Sequence, residues 1–136
     1  MTDNMTVGQR SRTMSRIRAR DTAPELAIRR LLHARGLRYR THVVDLPGRP
    51  DLVFRRTKVV VFVDGDFWHG WRFDQWKDDL ALYWREKIER NMRRDVSNLG
   101  VLTHQGWTVV RLWEHEIHTS PEGCADRVEQ AVRRKT

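Results

Sequence analysis

The sequence predicts a single mixed α/β domain with a central sheet flanked by helices, and three observations support this fold class. The 136 residues are 39% hydrophobic and 32% charged, which is typical of a globular chain with one core. Segments rich in β-branched residues alternate with segments in which apolar residues recur every three or four positions. The predicted order is helix, three strands, helix, strand and helix, which indicates layers of helix packed on a sheet.

The first helix is predicted to begin after Thr22 and to end at Gly36. Thr22 and Glu25 form a capping-box pattern, in which two polar side chains three residues apart satisfy free N–H groups of the first turn. Ile28 and Leu32 lie four residues apart and form part of an apolar face. A glycine directly after such a face is a common helix terminator.

Three strands are predicted between the first helix and the long second one. Residues 37–44 mix strand-forming side chains with arginine, and a Pro-Gly turn at 47–48 separates them from a short strand at 51–54. Residues 55–57 make a tight connection to the β-branched run at 58–63. Such a run is typical of a strand that is buried on both faces.

The second half of the chain is predicted to contain a long helix, a strand and a closing helix. The long helix lies within residues 74–104, the strand at 107–113 and the closing helix at 121–134. One apolar stripe is expected along the long helix, formed by Leu80, Trp84, Ile88, Met92, Val96 and Leu99.

The formal net charge of +8 and the pI of about 10.7 predict a polyanionic partner. Nucleic acid is favoured over an anionic membrane, because the basic residues are mostly arginine and are spread over several segments. No apolar run approaches the roughly 20 residues that span a bilayer, and no secretory signal is visible, so we expect a cytoplasmic, nucleoid-associated protein. The single cysteine excludes an intrachain disulfide and a cysteine-rich zinc cluster.

Residues 1–20 are predicted to be a flexible basic arm, and residues 21–136 to be the single folded domain. An arm that orders on contact with DNA fits this composition, and the alternative is a solvated basic tail without a function. Four residues of the arm are candidates for DNA contacts. They are two of its arginines and an apolar pair at helical spacing: Arg16, Arg20, Met14 and Ile17.

Acidic side chains are predicted to meet where two neighbouring strands come together. Asp51 directly follows Pro50 at the start of one strand, and Asp64 and Asp66 follow the next strand. Carboxylates this close repel one another unless a cation lies between them, and oxygen ligands suit Mg²⁺. The sequence therefore predicts a magnesium site, where a bound ion could activate water beside a phosphodiester.

Two further residues are candidates for the same site. His69 titrates near neutrality and could transfer protons, and Glu25 could supply another carboxylate. Each candidate also has a structural interpretation. Asp51 could simply start a strand, and Asp64 precedes a glycine as in an ordinary turn. His69 could be a satisfied structural histidine, and Glu25 already serves the capping box.

Pro50-Asp51 before a hydrophobic strand resembles the PD-(D/E)xK nuclease pattern, and other segments narrow the resemblance. Over about residues 9–118 the chain resembles the very-short-patch repair (Vsr-type) mismatch endonucleases, with the segments in the same order. The resemblance implies a restriction-endonuclease-like fold. The segments that carry it are Arg20-Asp21-Thr22-Ala23, Leu46-Pro47-Gly48-Arg49-Pro50-Asp51, Phe67-Trp68-His69, Trp84 with Glu86-Lys87-Ile88, Asn91 with Arg94-Asp95, and Gly106-Trp107 through Trp113-Glu114.

The resemblance implies an active site that uses one or two Mg²⁺ ions. Asp51 would bind the metal together with the backbone carbonyl of Val63, a position where the family often has threonine. His69 would assist hydrolysis, and Glu25 maps to a glutamate of the family's first helix. In the family a histidine usually follows that threonine, and Asp64 takes its position here. We therefore expect Asp64 to be an additional, direct metal ligand.

The resemblance also implies two sets of DNA contacts at a mismatch. Aromatic side chains would wedge into the DNA from one groove and apolar side chains of the arm from the other, while a lysine and an asparagine would read the mismatched bases. Wedging of this kind unstacks a base step at a cost of a few kcal/mol. The implied residues are Phe67, Trp68 and Trp84, then Met14 and Ile17, then Lys87 and Asn91.

A structural zinc, which better-known members of the family hold through cysteines and histidines, is not expected here. The corresponding positions carry Asp66, Trp71 and His115 in a chain with a single cysteine. We expect packing by Trp71 and Trp76 to take the place of the zinc.

The sequence therefore predicts a monomeric, magnesium-dependent DNA repair endonuclease that nicks one strand of double-stranded DNA next to a mismatched, T:G-type base. Other repair proteins are possible partners, and a membrane is not. Two alternatives stay open from the sequence. One is a restriction- or defence-type nuclease that acts on modified DNA, and the other is a mismatch-binding module without catalysis.

Overall fold

The computed structural model describes residues 21–135, so the predicted arm at residues 1–20 lies outside the described part of the chain. The helices and strands follow in the order α1 (Ala23–Ala34), β1 (Leu52–Phe54), β2 (Val59–Asp64), α2 (Leu82–His104), β3 (Thr108–Trp113), α3 (Glu114–Thr119) and α4 (Pro121–Arg134). Two short 3₁₀ helices, Phe73–Gln75 and Lys77–Asp79, lead from β2 to α2.

The three strands form one mixed sheet in the order β1-β2-β3. β1 runs antiparallel to β2, while β3 runs parallel to β2. The tight turn at 55–57 makes the antiparallel pairing, whereas α2 provides the long crossover that a parallel pair requires. This arrangement of a mixed sheet with flanking helices confirms the predicted fold class.

The two faces of the sheet are covered by different helices. Alternate residues of a strand point to opposite faces. On one face Val59 and Val61 pack in the main core with side chains of α1 and α4, including Ile28 and Val128. On the other face Val60 packs with side chains that include Leu102 of α2. The predicted two-sided burial is confirmed for the first half of β2, where Val59, Val60 and Val61 are fully buried, whereas Phe62 and Val63 are only half-buried.

Helix α1 begins and ends as predicted. The Thr22 hydroxyl accepts the N–H of Glu25 at 3.4 Å, and Pro24 lies in the first turn, where its missing N–H costs nothing. Gly36 follows the helix with φ of +82°, a conformation that glycine adopts without strain. The Glu25 carboxylate pairs with Arg29 one turn later, so its main partner is a cation within the same helix.

The predicted strand at 37–44 is wrong. Its only sheet contact among the described residues is an isolated bridge, in which Arg40 and Val53 exchange two backbone hydrogen bonds of 2.9 Å. His42 has φ of +57°, which turns the backbone away from an extended path. The segment therefore touches the sheet at one point and continues as a loop.

The predicted apolar stripe of α2 is wrong over the second half of the helix. Val96 and Leu99 are 71% and 43% exposed. Ile88 and Leu102 are fully buried, and Asp95 lies seven residues from each, on the same face of the helix. A carboxylate therefore occupies the middle of the face that α2 turns toward the sheet.

The C-terminal helices differ in how well the sequence predicted them. α4 spans Pro121–Arg134 as predicted, with Val128 and Val132 on its buried face. The short helix α3 was not predicted, because six residues are too few to show a helical period. α3 follows β3 directly, so it continues from the edge of the sheet at which β3 ends.

The loop after β2 packs tightly against α2 at Gly70. This residue has φ of +74°, and a Cβ there would lie 2.3 Å from Sδ of Met92. Gly100, within α2, has no atom within 4 Å of a Cβ position outside its own helix backbone. The two glycines are therefore a matched pair, one required by packing and one not.

We predict that Gly70→Ala lowers the free energy of unfolding by about 2 kcal/mol, because the new methyl group overlaps Met92 and the positive φ strains the backbone. Gly100→Ala should raise it by about 0.5–1 kcal/mol, because alanine loses less entropy in a helix. Urea denaturation of both variants measures this. A Gly70→Ala variant as stable as the wild type would contradict the packing.

Candidate active site

Acidic and basic side chains gather at one edge of the sheet, on the face that α2 covers. β2 and β3 both end at this edge, and Asp51 lies directly before β1, whose first residue pairs with Val61 of β2. Phe62 pairs with Arg111 of β3, so Arg111 shares a face with Phe62 and with Asp64 two residues on. The strand register therefore places two carboxylates and a guanidinium together.

Asp51 is tied to β2 through its backbone and its side chain. Its N–H donates to the carbonyl of Val61 at 2.9 Å, and its Oδ2 accepts the N–H of Val63 at 2.7 Å. Burial raises the pKa of Asp51 to about 6, against the opposing effect of the Val63 hydrogen bond and with a further rise from the negative charge of Asp64. Asp51 is therefore a carboxylate whose charge the protein itself compensates poorly.

Four side chains form a connected cluster near Asp51. His69 Nδ1 lies 2.6 Å from Oδ2 of Asp95, and His69 Nε2 lies 3.4 Å from Oδ1 of Asp64. Arg111 Nε donates to Oδ2 of Asp64 at 2.5 Å, and its Nη2 donates to Oδ2 of Asp95 at 3.2 Å. The loop after β2, the end of β2, helix α2 and strand β3 each contribute one of the four residues.

Within this cluster, the pKa values of Asp64 and His69 are both raised. Burial raises the pKa of Asp64, although the positive charges of His69 and Arg111 oppose the rise. Burial lowers the pKa of His69, but the hydrogen bond to Asp95 and the negative charge of Asp64 outweigh it, so the net pKa is raised. His69 therefore holds a proton more tightly than an ordinary histidine in the absence of a further cation.

The arrangement can hold a divalent cation. Asp64, His69 and Asp95 each place one ligand atom within 4.8 Å of the others. Asp51 adds a third carboxylate, whose pKa is raised by the charge of Asp64 and lowered by that of His69. Carboxylate oxygens are the ligands that Mg²⁺ prefers, and clustered carboxylates need a cation to relieve their repulsion.

Glu25 lies near this site, but its charge is already matched. It is 1% exposed and pairs with Arg29, which also donates to Asp21 at 2.7 Å. The positive charge of Arg29 slightly lowers the pKa of Asp51, so the α1 pair and the β1 carboxylate lie close enough to interact. The main partner of Glu25 is therefore Arg29, and a role for Glu25 in the site stays a prediction.

An aromatic cluster adjoins the site, because Phe67 and Trp68 directly precede His69 in the chain. Phe67 stacks on Trp76 with ring centroids 5.4 Å apart, and Trp68 meets Trp84 of α2 edge to face at 5.6 Å. The structure brings together the three aromatic residues that the resemblance selected as a wedge. Trp76 belongs to the same cluster, which the sequence did not predict.

Lys87 and Asn91 lie on the same face of α2 as Trp84. The ammonium of Lys87 lies 5.0 Å from the ring centroid of Trp68 and 5.8 Å from that of Trp84. The amide nitrogen of Asn91 donates to the carbonyl of Trp68 at 3.2 Å. Both residues therefore contact the aromatic cluster, and Asn91 also fixes the backbone just before His69.

Asp66 does not join the other carboxylates, so that part of the sequence prediction is wrong. Its Oδ1 lies 2.8 Å from Nδ1 of His115, and its N–H donates to Glu114 at 3.1 Å. The ring of Trp71 lies on the imidazole of His115, with centroids 3.9 Å apart. The three positions that would hold zinc in better-known family members therefore contact one another directly, and the expectation that this chain needs no zinc stays a prediction.

Comparison with known proteins identifies the family. A family model described as DNA mismatch endonuclease Vsr matches residues 2–75. The chain belongs to this family. The resemblance that the sequence motifs indicated is therefore confirmed.

Relatives match the chain over most of its length. The type II nicking enzyme V.NmeDIP of Neisseria meningitidis serogroup C is 42% identical, covering 98% of this chain and 92% of the relative. The type II nicking enzyme V.XorIIP of Xanthomonas oryzae pv. oryzae is also 42% identical, over 86% of this chain and 88% of the relative. DNA mismatch endonuclease Vsr of Escherichia coli is 34% identical, over 90% and 83%.

Membership of the Vsr family makes the chain a DNA endonuclease, with DNA as its substrate. Within residues 21–135, no helix combines the length and the apolar character needed to cross a membrane. The predicted arm residues, Met14, Arg16, Ile17 and Arg20, lie outside the described residues.

Sequence reasoning missed two members of the cluster, Asp95 and Arg111. Arg111 interrupts an otherwise apolar strand, because it lies between Val110 and Leu112 in β3. A charged residue at such a position is the feature that could have identified it. Asp95 directly follows Arg93 and Arg94 in the chain and lies off the predicted apolar stripe, so no local signal marked it.

We predict that Asp51→Asn stabilises the metal-free protein by up to about 3 kcal/mol at about pH 7.5, because the pKa is raised from 3.8 to about 6. The folded state binds this proton more tightly than the unfolded state. The cost of the charge is therefore absent below about pH 4, grows between pH 4 and 6, and is complete above. The asparagine carbonyl can still accept the Val63 N–H.

Thermal unfolding of wild type and variant at about pH 4 and about pH 7.5 checks this difference. Asp45→Asn is the control, because Asp45 is an exposed carboxylate whose pair with Arg55 at 3.0 Å contributes little. Added Mg²⁺ should stabilise the wild type and not the Asp51→Asn variant. Equal stability of wild type and Asp51→Asn at both pH values would show that Asp51 carries no uncompensated charge.

Proposed function

We propose that this endonuclease nicks one strand of double-stranded DNA next to a mismatched, T:G-type base by Mg²⁺-dependent hydrolysis of a phosphodiester. One observation carries the proposal. His69 and its carboxylate partners lie at the sheet edge, and the aromatic cluster that contains Trp68 immediately precedes His69 in the chain. A hydrolytic centre thus adjoins a surface suited to opening a base step.

The metal ligands in this proposal are Asp51, the backbone carbonyl of Val63 and Oδ1 of Asp64, the oxygen that Arg111 does not contact. Bound there, Mg²⁺ would lower the pKa of a water molecule and stabilise the negative charge that develops on the phosphate. His69 acts on protons through Nε2, because Nδ1 is held by Asp95. Glu25 keeps Arg29 beside the site and so limits the repulsion that Asp51 experiences.

Mismatch recognition in this proposal combines insertion and base reading. Trp68, with Phe67 and Trp84, inserts beside the mismatched pair, where stacking is already weak. Lys87 and Asn91 face the same cluster and read the edges of the bases. Met14 and Ile17 of the arm enter from the other groove, and Arg16 and Arg20 contact phosphates.

A second candidate function is a restriction-type nicking activity on DNA without a mismatch. The names of the relatives favour it, because several are called type II nicking enzymes. A panel of duplexes of one sequence decides between the two candidates: one with a T:G mismatch, one fully paired and one carrying a modified base. Preferential nicking of the T:G duplex supports the mismatch function, and nicking of the paired or modified duplex at equal rate supports the second.

We predict that Asp51→Ala abolishes nicking while duplex binding stays within about threefold of wild type, because the metal site is lost and the DNA contacts remain. Relaxation of supercoiled plasmid with Mg²⁺ and with EDTA measures cleavage, and fluorescence anisotropy measures binding. Wild-type protein that binds but never nicks in Mg²⁺ would identify a mismatch-binding module without catalysis.

We predict that Trp68→Ala weakens binding to T:G duplex about tenfold more than binding to paired duplex, because stacking of a base on an indole contributes about 1–3 kcal/mol. Trp107→Leu is the control. It removes an indole just before the start of β3, whereas the site lies where β3 ends, so it should change both affinities equally. Equal losses for Trp68→Ala on the two duplexes would eliminate the wedge.

A further inference from the structure

Arg111 is a charged residue in the middle of an otherwise apolar strand. Val110 and Leu112 on either side of it are buried in the main core, on the opposite face of the sheet. The guanidinium carbon lies 4.2 Å from the ring centroid of Trp113, and the side chain is 33% exposed. The guanidinium of Arg111 therefore contacts both the indole of Trp113 and the carboxylates of Asp64 and Asp95.

The contacts of Arg111 complete a ring of four side chains. Arg111 contacts Asp64 and Asp95, and each of these carboxylates contacts one nitrogen of His69. A planar guanidinium can hold two carboxylates at once in a fixed geometry, which an ammonium group cannot do. Arg111 is thus the one member of this ring that fixes both partners of the histidine.

The two contacts of His69 are unequal. The 2.6 Å contact between Nδ1 and Asp95 is a short, charge-assisted hydrogen bond, whereas 3.4 Å between Nε2 and Asp64 is too long for a strong one. Arg111 holds the other oxygen of Asp64, so Asp64 is kept from closing on Nε2. Nε2 therefore stays accessible to exchange a proton with water or with the reacting DNA.

We propose that Arg111 is a positioning residue of the nuclease, which orients His69 by fixing the carboxylates of Asp64 and Asp95 in place. This inference rests on the proposed function of His69. Without the guanidinium, the carboxylate of Asp64 turns to Nε2 and forms a direct hydrogen bond that blocks it. Arg111 acts through the two carboxylates, and the competing interpretation is a direct contact between Arg111 and a DNA phosphate.

The first test compares Arg111→Met and Arg111→Lys in single-turnover nicking of the T:G duplex. Arg111→Met should slow nicking about 100-fold, because a misplaced catalytic group typically costs that much, while the Kd for the duplex changes less than threefold. Arg111→Lys, which can hold one carboxylate, should be intermediate. Thermal unfolding ensures that both variants are assayed well below their melting temperatures. An unchanged rate in Arg111→Met overturns the inference.

The second test combines Arg111→Met with Asp95→Asn, because Asp95 is the partner of both Arg111 and His69 that the proposed function does not use as a metal ligand. If Arg111 acts through the carboxylates that hold His69, the double variant is no slower than the slower single variant, because both changes disturb the same contact. Multiplied losses, or a Kd about tenfold weaker in Arg111→Met alone, identify a phosphate contact and overturn the inference. Arg55→Met is the matched control, because it removes one half-exposed guanidinium from the turn between β1 and β2, away from the edge at which β2 ends, and should alter neither rate nor Kd.

The third test does not depend on cleavage. NMR of the imidazole N–H protons should show one slowly exchanging proton of His69 in the wild type, at Nδ1, and a second at Nε2 in Arg111→Met. If the wild type nicks no duplex but this second proton appears, the proposed function fails and the positioning geometry stands. If the wild type nicks and the second proton does not appear, the inference fails alone.

Discussion

The structure depends on the concentration of negative charge at one edge of a three-stranded sheet. Asp51, Asp64 and Asp95 meet there, and burial raises the pKa of the first two because the surrounding protein solvates their charges poorly. Arg111 and His69 compensate part of this charge. The remaining imbalance is what a divalent cation would neutralise, so the chemistry of the site follows from an electrostatic requirement of the fold.

The two faces of the sheet divide stability from function. The face that α1 and α4 cover is mainly apolar, and it contains most of the buried hydrophobic side chains. The face that α2 covers is apolar at one end, around Val60 and Leu102, and ionic at the other, around Asp64 and Arg111. Since side chains alternate along each strand, one strand can serve both purposes without compromise.

The sequence predicted those parts of the molecule in which local pattern and tertiary packing agree. The capped helix α1, the β-branched run of β2 and the convergence of Asp51 and Asp64 follow from spacing alone. The stripe of α2 was predicted wrongly over the second half of the helix, because Asp95 faces inward only when His69 and Arg111 are present to bind it. A charged residue on the buried face of a helix contradicts the pattern of its neighbours in sequence. Its charge is compensated only by residues that are distant in the chain.

The parallel pairing of β2 with β3 separates the members of the site widely along the chain, with Asp51 near one end of the span and Arg111 near the other. Contacts of such long range form late in folding, because the entropy of closing the intervening loop must be overcome first. A chain folded only as far as residue 69 therefore contains Asp51, Asp64 and His69 but lacks Asp95 and Arg111, which bind the last two. The arrangement of Asp64 and His69 is complete only when α2 has packed on the sheet and β3 has paired with β2.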